Sequence, residues 1–497
     1  MTIPHIRHYT LILVLSIFST AVAQTQPVPY QATLPKCQYD SLLRDIKLPL
    51  IEIWTVDGKE PQGYHVYAPA DYCGVALRGN EYVEGRMRIT LNNETTYDSE
   101  EYVPDKSGMR IKWRGNSSSI GEKKPYKIKL SKKADLLFRD DNKYKDKDWI
   151  LLKVYDGYFI RLLAGNQLGR IIGLEWEPEW EYVNVVINGD YKGDYILIES
   201  VEREKGRLYV DKSGYIIEDD AYWWNEETFF RGNMLMHKVG YTFKYPETEE
   251  VTDSIITNIK NDILAFEETL INNGDIGHWI DINSFAAWLL AQDILGQGDS
   301  FGSNRIIYKE GNNLQQPGSC KLKMGPLWDY DGVFKNDKKW SDIHQTGGYS
   351  FYFQELLGNK DFYYTYTSLW HEIKKGLHKT LLEYFTTIGE EKGSDINKSR
   401  TINQMRWPQD NSTPLSQDIS DADNWFKERI AWINLQVPSD ETNIDNITTT
   451  SSNSFNVYTM EGQLVKDKAC MEYIQNLPKG MYLIQKGDNL YQKIYIQ

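Results

Sequence analysis

Two acidic segments hold the residues best suited to chemistry: Gly298-Asp299-Ser300-Phe301-Gly302-Ser303-Asn304 and Gly325-Pro326-Leu327-Trp328-Asp329-Tyr330-Asp331-Gly332. Moving a phosphoryl group requires a nucleophile held in line and positive charge over the phosphate oxygens. Asp299 is a candidate base for the proton of an acceptor hydroxyl. Asn304, Asp329 and Asp331 offer oxygen ligands to Mg2+ or Mn2+, which prefer carboxylate and carbonyl oxygens. Both segments read as loops. The first follows a helical run ending at Leu295, through Gly296 and Gly298; the second follows an apolar run through a Gly-Pro turn. Loops held by rigid elements are where such groups usually sit.

An Asp followed five residues later by Asn also occurs at Asp220/Asn225, Asp253/Asn258 and Asp331/Asn336, so spacing alone discriminates little. Order along the chain adds more. Far upstream, Trp113-Arg114-Gly115-Asn116-Ser117-Ser118-Ser119-Ile120-Gly121 precedes Lys123-Lys124-Pro125-Tyr126-Lys127-Ile128-Lys129-Leu130. Small residues let backbone N–H groups approach phosphate oxygens, and a lysine on the next strand can hold a nucleotide's phosphates. No Gly-Lys-Ser/Thr closes the turn, so it is not a Walker A loop, and taken alone it also reads as a Ser-rich hairpin. Lys127 is the preferred phosphate lysine, with Lys124 and Lys129 as rivals, and Arg114 is a candidate phosphate or acid partner. Glu199 and Glu218 end strand-like runs and are candidates to pair with the lysine or line the nucleotide site.

The elements that must position these groups follow from periodicity. Residues 48–54 read as a buried strand; 87–91, 109–113 and 126–130 alternate as half-buried strands. Residues 183–187 and 195–198 form a hairpin around Asn188-Gly189. Helical spacing is expected over 151–172, 254–270, 282–295, 369–388 and 422–435. Strands first and helices later predict an α+β fold, a small β lobe over a larger helical one. A polar linker, 438–454, leads to a separate small β unit at 455–497.

Composition narrows the function classes. At 41% hydrophobic and 25% charged the chain can bury a large core, and its net charge of -14 argues against nucleic-acid or anionic-membrane binding. Residues 1–23 read as a signal peptide: Arg7, an apolar run over 9–18 and a small-x-small site at Ala21-Val22-Ala23. No other stretch reads as transmembrane, so an exported protein is expected. Export permits disulfides among Cys37, Cys73, Cys320 and Cys470, with three pairings open and Cys37–Cys73 the most local. No Cys-x-x-Cys pair and no clustered His argue for a zinc site.

At these residues the chain resembles the spore-coat CotH kinase family, an atypical protein-kinase-like group, over about 48–437. The resembling segments, in order, are Arg114-Gly115-Asn116-Ser117-Ser118, Lys124 to Leu130, Asp148-Trp149-Ile150-Leu151-Leu152, and Asn188 to Tyr195 with Glu199. Asp299 to Asn304 running into Ile307-Tyr308 follows, then Gly325 to Asp331 and Arg429-Ile430-Ala431-Trp432. It departs from the family pattern at 310–319, which reads as an insertion, and at Val333-Phe334-Lys335-Asn336. The resemblance implies a reduced two-lobe kinase fold across 36–437, β-rich over 36–215 and helical over 216–437. It implies ATP with Mg2+ or Mn2+, and phosphate transfer to Ser or Thr of secreted or surface proteins. By it, Asp299 matches the catalytic Asp, and Asp329 the metal-binding Asp.

The tail resembles the C-terminal sorting domain of Bacteroidetes type IX secretion cargo, through Val457 to Val465 and Leu477 to Ile484. That implies a small β-sandwich, passage across the outer membrane and contact with its secretion machinery. Two other readings stand beside the kinase. Asp329-Tyr330-Asp331 could serve a metal-dependent nucleotide-sugar glycosyltransferase, although no alternating β-α pattern opens the chain. Tyr222-Trp223-Trp224 could serve a catalytically inactive, glycan-binding surface protein on the same fold.

Overall fold

The computed structural model describes residues 41–437 and 455–496, apart from 70–71, 73, 156–157, 233–234, 236–239, 298–303, 312–319, 331, 335–351, 411–412, 460–462, 470–476 and 487–489. The signal-like segment, the linker and three of the cysteines, Cys37, Cys73 and Cys470, lie outside these residues. The architecture is mixed α and β, β-rich toward the N-terminus and helical toward the C-terminus.

The first part is built from β1 (Leu50–Thr55), β2 (Tyr64–Tyr67), β3 (Val75–Arg78), β4 (Val83–Leu91), β5 (Glu94–Asp98), β6 (Met109–Trp113), β7 (Tyr126–Ala134), β8 (Asp146–Lys153), helix α1 (Tyr158–Ile171), β9 (Trp180–Ile187) and β10 (Asp190–Glu199). Eight of these strands form one sheet in the order β1-β9-β10-β8-β7-β6-β4-β5, and β1 also pairs antiparallel with β4. The sheet therefore closes into a barrel, which removes its long edges. Alternation sorts the side chains. Met109, Ile111, Ile128 and Leu130 point into an apolar interior with Ile53, Met87 and Trp149, while Arg110, Lys112, Lys127 and Lys129 face outward. At the β9–β10 hairpin Asn188 (φ 52) and Gly189 (φ 78) supply the two positive φ values that a tight turn needs.

β8 and the start of α1 differ from the expected single helix over 151–172. Ile150, Leu151 and Trp149 are all buried, some in the barrel and Ile150 against the helices. A strand covered on both sides shows no period-two signal.

A second sheet lies inside the stretch expected to be helical. It comprises β11 (Tyr215–Asp219), β12 (Phe230–Arg231), β13 (Gly240–Tyr245), β14 (Arg305–Lys309) and β15 (Leu322–Met324), in the order β12-β13-β11-β14-β15. β11 and β14 are buried at every position, which again hides β14 from a periodicity reading.

The helices are α2 (Asp253–Ile271), α3 (Ile282–Leu295), α4 (Phe353–Gly358), α5 (Lys360–Ile373), α6 (Leu377–Arg406) and α7 (Leu415–Gln436). The run expected over 369–388 is divided near Gly376 into α5 and α6. α3 is buried from Phe285 to Leu295 and is the centre of the helical part. Asp281 caps it, its carboxylate accepting from Ser284 N at 2.9 Å, and Gly296 (φ 58) ends it in the left-handed region.

At the C-terminal end β16 (Phe455–Thr459), β17 (Leu464–Ala469), β18 (Gly480–Lys486) and β19 (Leu490–Ile496) form an antiparallel sheet ordered β17-β16-β18-β19. Among the described residues this is one layer, where a sandwich was expected. No helix of the described residues is long and apolar enough to cross a membrane.

Candidate functional site

The C-terminus of α3, which leads into the first acidic segment, is bonded to residues of the second. Gln297 follows the Gly296 cap directly, and its amide Nε2 donates to the Asp329 carbonyl at 2.9 Å. The N–H of Phe334 donates to the Leu295 carbonyl at 3.4 Å, tying the other end of the second loop to the same helix end. β14 and β15 pair antiparallel, Ile307 opposite Met324, and Gly325 N donates to Ile306 O at 3.1 Å. Asn304 immediately precedes β14 and Asp329 follows β15 along the chain. Both adopt the left-handed conformation, at φ 62 and φ 63. Asn and Asp tolerate that region better than most residues, and such outliers collect at functional sites. Asp299 and Asp331 lie outside the described residues.

α1 and Glu177 seat the second loop from behind. Tyr330 is buried against Gly165, where a Cβ would lie 2.5 Å from its ring. Glu177, also buried, accepts from Leu327 N at 3.0 Å through Oε1 and crowds Gly169. Burial pushes its carboxyl well above the ordinary 4.5, against the smaller pull of the Leu327 N–H and Arg170. A carboxyl raised in the folded state holds a proton there that the unfolded chain has released. Its contribution to stability is therefore full below the ordinary value and is lost as pH rises through the folded one. Glu177→Gln keeps the bond to Leu327 and has no proton to lose. Urea unfolding of this variant should be less pH-dependent above pH 4.5 and should show higher stability than wild type at pH 8.

The next strand adds a buried ion pair. Arg305 follows Asn304, lies opposite Asp219 in the β11–β14 ladder and donates Nε to its carboxylate at 2.6 Å. Both side chains are 1% exposed. Removing one partner leaves a buried charge alone, so Arg305→Met should cost about 3–5 kcal/mol in a denaturation experiment. Asp219→Asn in the same chain should recover part of it. Asp220 follows Asp219 at the end of β11. Asp220 accepts from Tyr222 N at 2.7 Å, and burial, then the neighbouring Glu218, pushes its carboxyl up to about 7. Glu218 itself pairs with Lys244 at 2.6 Å.

Opposite stands the outer face of β6 and β7. Lys127 reaches Asp148 at 3.1 Å and Glu202 at 3.3 Å. Burial works against its charge, but Glu202 and Asp148 outweigh it and raise its pKa, so it is held as a cation. Glu202 also acts on Lys244, linking this face to the second sheet. Of the rival lysines, Lys124 donates to Ser119 O at 2.8 Å within the serine turn and lies over Trp113; Lys129 stands 3.9 Å from Asp148. Arg114, on the same face as Lys127, places its guanidinium 5.9 Å from the ring of Trp328, the residue before Asp329.

Glu199 is separated from Lys127. It lies opposite Trp149, whereas Lys127 lies opposite Ile150, so strand alternation puts the two on different faces of the sheet. Its carboxylate is fully buried, 2.8 Å from Arg139 and 4.0 Å from Arg207, and accepts from Glu179 N. The carboxylates that meet Lys127 are Asp148 and Glu202, the latter three residues beyond Glu199 in a segment without regular periodicity that gave no sequence signal. Gln297, Glu177 and Arg305 were also missed, for they act through backbone or long-range contacts.

The oxygen donors at Asn304 and Asp329 suit a hard divalent cation. Among the described residues no group of three or more His, Cys, Asp or Glu could hold a metal, and the amide of Asn304 is outside that count. None of the curated proteins matches this chain. A family model described as CotH kinase protein matches residues 111–433, well over half of the chain, and spans every residue from Arg114 to Asp331 discussed above. The chain belongs to the CotH kinase protein family.

Proposed function

We propose that this protein is an exported, metal-dependent protein kinase that transfers the γ-phosphate of ATP to Ser or Thr of secreted or surface proteins. The observation that supports this best is the convergence at α3. Gln297, two residues before Asp299, bonds to Asp329, and Arg114 lies beside Trp328. In this reading the barrel and the helical part are the two lobes of a reduced kinase fold. Lys127 and Arg114 hold the nucleotide's phosphates. Asp299 takes the proton of the acceptor hydroxyl as its oxygen bonds to the γ-phosphorus and the bond to ADP breaks. Asn304, Asp329 and Asp331 hold Mg2+ or Mn2+, which would supply positive charge over the phosphate oxygens. Glu199 acts at a distance, through Arg139 and Arg207, on the end of β10.

The purified protein should be thermally stabilised by ATP with Mn2+ and should move labelled γ-phosphate onto a Ser or Thr of itself or of a surface protein. Absence of both stabilisation and transfer would refute the reading. We also read 455–497 as a type IX sorting module. Deleting it should leave the protein behind the outer membrane, and unchanged release would count against this.

A further inference from the structure

The face that carries Lys127 sets a second lysine directly against it. Register places Arg110 directly opposite Lys129 and Lys112 directly opposite Lys127. Like charges paired across neighbouring strands destabilise a sheet. Asp148 and Glu202 are drawn to Lys127 and Lys129, and Glu84 lies opposite Arg110 on the other side. Lys112 pairs with no carboxylate among the described residues, and its ammonium rests 4.7 Å over the ring of Tyr82. Arg110 lies over the same ring at 5.2 Å. Burial, then Lys127, lowers the pKa of Lys112, with Glu226 and Asp148 opposing. The Lys112–Lys127 pairing is a cost that an incoming anion would relieve.

We propose that Lys112 is a second phosphate-binding cation that acts side by side with Lys127 on the polyphosphate of a nucleoside triphosphate. The inference rests on the kinase reading for the identity of the nucleotide, but the cation row stands without it. Its ligand class is a multiply charged phosphate chain, since two ammonium groups on adjacent strands suit more than one phosphate group. The aromatic ring of Tyr82 supports the lysine from one side and leaves its charge available.

Calorimetry on the full chain tests this with two probes, metal-free inorganic triphosphate and ATP with Mg2+. Lys112→Met should weaken both about tenfold, the loss of one charge-assisted contact. Lys106→Met, an exposed lysine away from the site, should change neither. Without ligand, Lys112→Met should melt no lower than wild type, because a like-charge contact is removed. Wild type that binds triphosphate but not ATP would defeat the kinase reading and leave the phosphate site standing. Unchanged affinity in Lys112→Met, equal weakening in Lys106→Met, or no triphosphate binding by wild type would overturn the inference. So would an effect confined to the affinity for an acidic protein acceptor.

Discussion

Asp329→Asn is expected to lower phosphate transfer by about a thousandfold or more, equivalent to losing roughly 4 kcal/mol of charge stabilisation in the transition state. The substitution keeps the size of the side chain. It also keeps the carbonyl that accepts from Gln297, so the loop should stay seated. What goes is the negative charge that draws a divalent cation to this end of the second sheet. Nucleotide affinity should therefore lose its dependence on Mn2+ while metal-free binding stays near wild type. Titrating Mn2+ into the variant, with and without ATP, reads both effects. Wild-type rates with wild-type metal dependence would remove Asp329 from the site.

Asp299→Ala should separate rate from binding. A positioned general base contributes about 10²–10⁴-fold, and its removal leaves ground-state contacts to the nucleotide in place. Transfer should fall by that factor while ATP and Mn2+ bind as in wild type. The thermal shift on adding ATP should also be unchanged. The two variants together form a dissection: one loses metal-linked binding and rate, the other rate alone. Loss of nucleotide binding in Asp299→Ala would give that residue a different part.

Much of the barrel was legible because its strands have one wet and one dry side. Met109-Arg110-Ile111-Lys112 and Tyr126-Lys127-Ile128-Lys129 alternate, and the structure turns their apolar members inward and their cations outward. Asn188-Gly189 marked its hairpin through φ alone. The expected helix over 282–295 coincides with α3. The strand-like run ending at Glu218 falls within β11, whereas β8 and β14 escaped notice because their faces are covered and no alternation shows. The site was legible as a set of residue types, not as a set of partners. Lys127 is recognisable from its strand and the serine turn before it. Its carboxylates are another matter: Asp148 sits one strand over, and Glu202 is 75 positions away along the chain. Glu199 looked suitable by position, but a two-residue period decides which face a strand residue takes, and it took the other one. The link between Gln297 and Asp329 runs to a backbone carbonyl, a contact that residue types do not encode.

In the kinase reading Asn304 and Asp329 would hold one divalent cation beside the terminal phosphate of a nucleotide. A crystal grown with Mn2+ and a non-hydrolysable ATP analogue tests it directly through the anomalous signal of manganese. A peak is expected bonded to the Asp329 carboxylate and the Asn304 amide oxygen, at about 2.0–2.3 Å, and touching the analogue's phosphates. Manganese bound elsewhere, or a nucleotide whose phosphates lie away from both residues, would contradict it.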